Sequence, residues 1–229
     1  MDPDFWQKRW QTNQIGFHLD SFNDRLLSHW ASATEGAAPG SRVLAPLCGK
    51  SLDLRWLRDR GHGVLGIELS PIACEAFFHE QGFAVERRVE GEGVVRWRGL
   101  GQGPGGGDGI EILQADIFAL KDSDIGAADL LYDRASVIAL PPSSRQRLVE
   151  RLGAWLAPAA RGLLVTIEYP EAEKQGPPFS VPAAAVAELC AGSFEATLLS
   201  REDLIERDGV GRWQLTSLHQ LSFALRRFG

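Results

Sequence analysis

Residues 43–50 read Val-Leu-Ala-Pro-Leu-Cys-Gly-Lys, an apolar run that stops at a turn containing Gly49. Residues 51–57 then have the apolar spacing of an amphipathic helix, and a second apolar strand over 64–67 ends on Glu68. This order of strand, tight turn, helix, strand and acid is typical of nucleoside-cofactor sites. Backbone N–H groups and the helix N-terminus face the ligand there, and the carboxylate accepts hydrogen bonds from the ribose hydroxyls. The stretch therefore predicts an α/β fold with a nucleoside-binding crevice.

Length and composition narrow the class of protein. The 229 residues are 44% hydrophobic and 24% charged, which suits one globular α/β domain. A net charge of −6 offers no basic surface, so we expect a small-molecule substrate and no nucleic-acid partner. Three cysteines far apart, without metal-ligand spacing, favour reduced thiols in the cytoplasm and no metal. Without a signal peptide or a long apolar run we expect no membrane partner, and without an exposed apolar stripe we expect a monomer.

The remaining elements continue the alternation of strands and helices. Residues 1–35 indicate a helical cover, and the glycine-rich stretch 99–109 indicates a flexible hairpin loop. Further strands are expected at 110–113, at 128–132 and, as a fully buried strand, at 163–167. This pattern predicts a single domain over residues 1–229. Its core is a doubly wound, mostly parallel, seven-stranded sheet with helices on both faces and an antiparallel C-terminal strand.

Two helices have clear start signals. The hydroxyl of Ser70 can cap a helix and Pro71 fits its first position, which predicts a helix over about 71–81. A second helix opens near Pro142, and its apolar face includes Leu148 and Leu152.

The single glycine of the 47–50 turn bears on the choice of cofactor. A pyrophosphate needs close backbone approach at two places, so Gly49 alone favours S-adenosylmethionine over NAD. Two formal G-x-G-x-x-G matches, at 61–66 and 101–106, lead into strands rather than helices, and we discard both. The structural alternatives are a plain strand–helix turn and, for Glu68, a solvated acid at the end of a strand.

Charged residues also follow two other strands. Asp116 could accept the adenine amino group while Ile117 packs on the ring, or Asp116 could be an ordinary loop acid. Arg134, after Asp133, could serve a cofactor or substrate group, or could pair with a nearby carboxylate.

Aromatic residues near the N-terminus allow two interpretations. Trp6 and Trp10 are four residues apart and most simply form the buried face of a helix. One of them could instead face a sulfonium through cation–π attraction of about 0.5–2 kcal/mol. Gly16-Phe17-His18 could be a mobile lid, although a lone histidine such as His18 is more often a surface residue than a base.

Together these residues resemble the thiopurine S-methyltransferase family, chiefly its bacterial branch. The matching segments lie between residues 5 and 182, and the tail from 193 onward matches poorly; the segments are 5–10, 13–18, 46–53, 66–70, 132–135 and 176–182. The resemblance implies a class I methyltransferase fold with S-adenosylmethionine as cofactor and S-adenosylhomocysteine as product. It implies cofactor contacts from Trp10, Leu47, Glu68, Ile117 and Arg134, and an acceptor pocket lined by Phe17. Apart from the resemblance, we expect cofactor contacts from Gly49 and Asp116 and a substrate contact from Phe179.

The expected reaction is in-line displacement of the sulfonium methyl by an aromatic or heterocyclic thiol, or by a selenium or tellurium acceptor. Positioning contributes on the order of 7–11 kcal/mol to such a step at best. Arg134 could steady an anionic acceptor, and Asp20 or His18 could accept a proton through water. An NAD-dependent oxidoreductase and a non-catalytic adenosyl-binding protein are the competing interpretations.

Overall fold

The computed structural model of the chain describes residues 3–102, 106–206 and 213–229. Nine strands lie within these residues: β1 Arg42–Pro46, β2 Gly63–Glu68, β3 Val85–Gly91, β4 Val94–Gly99, β5 Ile110–Gln114, β6 Ala128–Asp133, β7 Leu156–Glu168, β8 Phe194–Asp203 and β9 His219–Arg227. The same residues contain eight α-helices: α1 Pro3–Gln11, α2 Asp24–Ala33, α3 Asp53–Asp59, α4 Pro71–Glu80, α5 Asp122–Ile125, α6 Ser136–Ala139, α7 Pro142–Trp155 and α8 Ala183–Cys190.

The described residues form two compact units. The first unit comprises 3–27 and 37–129, and the second comprises 28–36 and 130–229, each as far as it is described. The first unit carries the Gly49 turn and Glu68, and the second carries Arg134 and Phe179.

In the first unit the strand order is β3-β4-β5-β2-β1. The pairs β1–β2 and β2–β5 are parallel, so these strands end at the same edge. Their side chains are almost fully buried, as the apolar runs predict, and α3 and α4 both pack on β2 and β5. The antiparallel hairpin β3–β4 extends this sheet through β4–β5 pairing.

In the second unit the strand order is β6-β7-β9-β8, with antiparallel β7–β9 and β9–β8 pairs. The antiparallel C-terminal strand is therefore confirmed. Strand β7 contains the buried run 163–167 predicted from the sequence, and it is longer, because residues 156–162 continue it. Helix α7 buries Leu148 and Leu152, as its spacing predicts.

Most of the predicted elements are present, but the predicted strand count is wrong. The Ser70 hydroxyl accepts a hydrogen bond from the Ala73 N–H at 3.4 Å and Pro71 begins α4, which confirms the predicted cap. The described strands number nine rather than seven, because β3 and β4 form a hairpin that joins the edge of the sheet. Residues 99–109 connect the antiparallel strands β4 and β5, but residues 103–105 of that loop lie outside the described residues.

Candidate active site

The turn after β1 has an unusual backbone. Leu47 and Gly49 both have positive φ, at 47° and 56°, while the Cys48 N–H donates to the Ile67 carbonyl at 3.0 Å. A non-glycine residue at positive φ is strained, and such strain concentrates at functional sites. The Cys48 thiol packs over Gly66, where an added Cβ would lie 2.7 Å from Sγ. Close packing with β2 therefore fixes the turn.

Glu68 is buried at the end of β2, with 7% of its surface exposed, and both of its carboxylate oxygens are occupied by amides. Oε2 accepts the Gly49 N–H at 2.9 Å, and Oε1 accepts the Ser70 N–H at 2.7 Å. Burial raises the pKa of Glu68, and the hydrogen bonds from Ser70 and Gly49 oppose that rise. Because a carboxylate oxygen has two lone pairs, each oxygen can accept one more hydrogen bond from a ligand.

The Gly49 amide points at Glu68 rather than outward, which differs from the expected role of the turn. The sequence predicts that this N–H faces a ligand. In the structure it orients the carboxylate, so Gly49 acts through Glu68.

Trp10 of α1 also lies close to this glycine. A Cβ added to Gly49 would lie 3.3 Å from Cζ2 of Trp10, a contact so tight that the indole would have to shift by a few tenths of an ångström. Phe17 meets the rings of Trp10 and Trp6 edge to face, with centroids 5.7 Å apart in each pair. Trp10 is buried, whereas Phe17 keeps 40% of its surface exposed. The structure thus brings Trp10, Phe17 and the Gly49 turn together.

Asp116 and Ile117 lie next to Glu68 along the sheet edge. The N–H of Ala115 donates to the Glu68 carbonyl at 2.9 Å, and the Asp116 carboxylate accepts the Phe118 N–H at 2.9 Å. Ile117 is 1% exposed and packs as a core residue. The expected adenine contacts of these two residues remain predictions.

The two acid–base candidates are neighbours in a loop. Nε2 of His18 lies 3.6 Å from Oδ1 of Asp20, whose side chain is fully exposed, whereas the His18 side chain is 11% exposed. An ion pair forms there only when the histidine is protonated. Their proposed use in proton transfer stays a prediction.

A buried hydrogen bond, not predicted from the sequence, links the segment before α2 to the start of α3. Oδ1 of Asp53, at the start of α3, accepts the N–H of Asn23 at 2.9 Å, and both residues are buried. The Asn23 side chain in turn accepts the Arg25 N–H at 2.9 Å at the start of α2. The two partners are 30 residues apart, so no local pattern could reveal the pairing.

In the second unit a buried acid shapes the turn that carries Arg134. The Asp133 carboxylate accepts the N–H groups of Ala135 at 3.1 Å and Ser136 at 2.8 Å, and also a short hydrogen bond from the Ser136 hydroxyl. Burial raises the pKa of Asp133, and the bonds from Ser136 oppose that rise. Arg134 is half-buried on this turn, directly after β6.

Phe179 is held near the same turn within the second unit. Its N–H donates to the Ile138 carbonyl at 2.7 Å, and its ring centroid lies 5.4 Å from Cζ of Arg145. The sequence analysis missed Arg145, although a signal exists. Arg145 stands three residues before Leu148 and seven before Leu152, on the apolar stripe of α7.

Two kinds of feature are absent from the described residues. No group of three or more His, Cys, Asp or Glu side chains there could hold a metal ion. None of the helices in the described part of the chain has the length and apolar character needed to cross a membrane.

Comparison with known proteins decides the family. The family model described as "Thiopurine S-methyltransferase (TPMT)" matches residues 1–227. The chain belongs to the thiopurine S-methyltransferase family. The match also extends the resemblance beyond residue 182, into the tail from 193 onward, which matched poorly in the sequence analysis. As a family member the chain is a methyltransferase, as we expected.

Curated relatives agree with this membership. The thiopurine S-methyltransferase of Pseudomonas entomophila is 48% identical over 186 residues, which cover 81% of each chain. That of Pseudomonas fluorescens is 45% identical over 206 residues, covering 90% of this chain and 89% of its own.

A solved structure confirms the fold class. The 1,6-didemethyltoxoflavin-N1-methyltransferase of Burkholderia thailandensis superimposes with a TM-score of 0.60 at 15% identity, covering 99% of this chain and 87% of that one. At this identity the likeness shows the fold alone, which is the Rossmann-like α/β fold of class I methyltransferases.

Proposed function

We propose that this protein methylates the sulfur of an aromatic or heterocyclic thiol, or a selenium or tellurium acceptor, with S-adenosylmethionine as donor. The observation that carries the proposal is the buried Glu68 carboxylate. The Gly49 and Ser70 amides fix its orientation, and its oxygens can accept further hydrogen bonds from a ligand. Ribose hydroxyls supply the donors that such a carboxylate needs. The relatives named thiopurine S-methyltransferase support the thiol as acceptor.

The residues present fit a nucleoside donor. Glu68 would accept hydrogen bonds from the ribose hydroxyls. Leu47, in the strained turn, would contact the donor. Asp116 and Ile117, beside Glu68, would meet the adenine, and the Trp10 indole would meet the cationic end of the donor by cation–π attraction. When bound, S-adenosylmethionine supplies a methyl carbon already activated by its positive sulfur.

The chain's own residues would position the acceptor. In the first unit, the partly exposed ring of Phe17 would contact an aromatic thiol. In the second unit, Phe179 is proposed to contact the acceptor, and Arg134 to steady an anionic acceptor or the donor's carboxylate. The nucleophile is a thiolate, so the thiol proton must leave first. His18 and Asp20 would relay it to solvent, because their side chains lie 3.6 Å apart in the segment that carries Phe17.

No cysteine is needed as a nucleophile. Burial, together with the charge of Glu68, raises the pKa of the Cys48 thiol well above its usual value, so that thiol stays protonated at neutral pH. All three cysteines are free, which supports a reducing, cytoplasmic location. We propose that residues 1–229 act as one methyltransferase domain and as a monomer.

A methyl-transfer assay tests the function. Purified protein with S-adenosylmethionine is offered 6-sulfanylpurine, benzenethiol, selenite or tellurite, with phenol as a control for oxygen acceptors. We expect S-adenosylhomocysteine and the S-methyl product in equal amounts from at least one thiol, and none from phenol. A protein that binds S-adenosylhomocysteine but methylates none of these acceptors would be a binding protein. A protein that binds NAD instead would point to an oxidoreductase.

A further inference from the structure

Lys50 follows Gly49 in the strained turn after β1, and its side chain forms an ion pair outside the set of residues assigned to the donor. Its Nζ lies 2.6 Å from Oε1 of Glu80, the last residue of α4. The Lys50 side chain is only 13% exposed, whereas that of Glu80 is 44% exposed. Because the lysine end is largely out of water, solvent and salt screen this pair less than they screen a fully exposed one.

Glu80 stands at a position where a helix disfavours negative charge. It ends α4, and the helix dipole places partial negative charge at the C-terminal end of a helix. A carboxylate there is unfavourable unless a cation pairs with it, and Lys50 supplies that cation. Helix stability therefore does not account for an acid at this position, whereas a contact with the turn does.

Helix α4 is connected to the turn after β1 at both of its ends. At its start, the Ser70 N–H donates to Oε1 of Glu68 at 2.7 Å, and the Gly49 N–H donates to Oε2 of the same carboxylate at 2.9 Å. At its end, Glu80 pairs with Lys50, the residue after Gly49. The turn, the Glu68 carboxylate and α4 thus form a closed set of contacts, and all of them lie in the first unit.

The backbone of this turn needs such contacts to keep its conformation. Leu47 and Gly49 have φ of 47° and 56°, and a strained backbone persists only where its surroundings hold it. Before Gly49, the Cys48 N–H is bonded to the backbone of β2 at 3.0 Å. After Gly49, the ion pair of Lys50 holds the chain. Without that pair, we expect the turn to relax and the Gly49 amide to move away from Glu68.

We propose that Lys50 is a positioning residue of the donor site, which acts through its ion pair with Glu80. The pair keeps the Gly49 amide directed at Glu68, so that the carboxylate stays oriented for the ribose hydroxyls. Lys50 itself does not contact the donor. This inference rests on the proposed role of Glu68 as the ribose ligand.

The first test compares two ligands in calorimetric titrations. S-adenosylhomocysteine carries an amino-acid carboxylate, whereas 5′-methylthioadenosine has the same nucleoside without the amino-acid group. Lys50→Met and Glu80→Gln each remove one charge of the pair. The control is Arg98→Met, which removes an arginine of β4 that lies 2.8 Å from Glu111 and belongs to a different ion pair.

Lys50→Met and Glu80→Gln should each weaken the binding of both ligands by the same factor, about three- to tenfold, because they disturb the charge-assisted hydrogen bonds to the ribose. The double variant should bind no more weakly than either single variant, since the two residues act through one contact. Lys50→Arg, which keeps the charge, should recover most of the affinity, and Arg98→Met should bind as the wild type does.

Two results of these titrations would overturn the proposal. A loss confined to S-adenosylhomocysteine would show that Lys50 contacts the carboxylate of the donor. Unchanged affinity for both ligands in Glu80→Gln would show that the ion pair does not position the site.

A second measurement needs no ligand. Glu80→Gln is isosteric and changes an exposed side chain, so it should leave the fold intact. Exchange of the Gly49 amide proton with solvent, followed by NMR, should be at least about tenfold faster in this variant than in the wild type or in Arg98→Met, because the bond to Glu68 is loosened. Equal exchange in the wild type and Glu80→Gln would refute the inference. A wild type that binds neither nucleoside would instead refute the proposed donor site, while the exchange rates still decide whether the pair holds the turn.

Discussion

Glu68 and Gly49 are joined directly: the Gly49 amide donates to the Glu68 carboxylate at 2.9 Å across 19 residues of chain. The turn after β1 and the acid at the end of β2 therefore form one structural unit, and the Ser70 amide holds its other oxygen. A carboxylate that is already oriented loses little conformational entropy when a ligand binds. The donor site is thus expected to be preorganised.

Gly49→Ala should weaken this unit in two ways. The residue has φ of 56°, and its new Cβ would lie 3.3 Å from Trp10. We expect a loss of about 1–3 kcal/mol in the free energy of unfolding, from strain and displaced packing. Gly40→Ala is the control, since Gly40 has φ of 77° but nothing within 4 Å of its added Cβ. Denaturant unfolding should show a larger loss for Gly49→Ala, and equal losses would rule out the Trp10 contact.

Trp10→Phe should lower kcat/KM by about tenfold, because a smaller ring gives weaker cation–π attraction and a looser contact with Gly49. The control is Trp56→Phe, a similarly buried indole in α3 that packs against Arg60 instead. Both variants should lose comparable stability in thermal unfolding. A wild-type value of kcat/KM in Trp10→Phe would show that Trp10 contributes only to core packing.

The affinity for S-adenosylmethionine should fall on acidification, starting above the usual glutamate range. Burial raises the folded-state pKa of Glu68 above 4.5, and the ribose needs the ionised carboxylate. Protons therefore compete with the donor as the pH falls through this raised pKa. The same shift means that ionised Glu68 lowers folding stability as the pH rises through it. Calorimetry across this pH range should show the dependence in the wild type, and Glu68→Gln should bind weakly with no such dependence.

Asp53→Ala should free the N-terminal segment that carries Phe17. It leaves the buried Asn23 amide without its acceptor, at a cost of about 1–3 kcal/mol. Asp53→Asn keeps an oxygen in the same place and should cost less. Hydrogen exchange of residues 12–23 should accelerate in the alanine variant and stay slow in the asparagine variant. Unchanged exchange in Asp53→Ala would show that other contacts hold the segment.

Much of the fold could be predicted because its signals are local. The Ser70 cap, the apolar face of α7 and the strand ending on Glu68 depend on residues within one or two turns of each other. Local spacing also placed Gly49 and Glu68 in one crevice.

The parts that could not be predicted depend on pairings distant in sequence. The hairpin β3–β4 joins the sheet through β5, and its weak alternation did not show that it would. The Asn23–Asp53 bond spans 30 residues. The direction of the Gly49 amide depends on the backbone of Leu47 and Gly49, which a sequence does not display. Arg145 could have been noticed, as a charge on an apolar stripe, but its hydrogen bond to the Leu140 carbonyl could not.

The most direct test of the central claim is calorimetric titration of S-adenosylhomocysteine into wild-type protein and into Glu68→Ala. Glu111→Ala is the control, an acid of neighbouring strand β5 that pairs with Arg96 and Arg98. The account predicts that Glu68→Ala binds at least about tenfold more weakly, because two charge-assisted hydrogen bonds are lost, while Glu111→Ala binds as the wild type does. An unchanged affinity in a folded Glu68→Ala variant would contradict it.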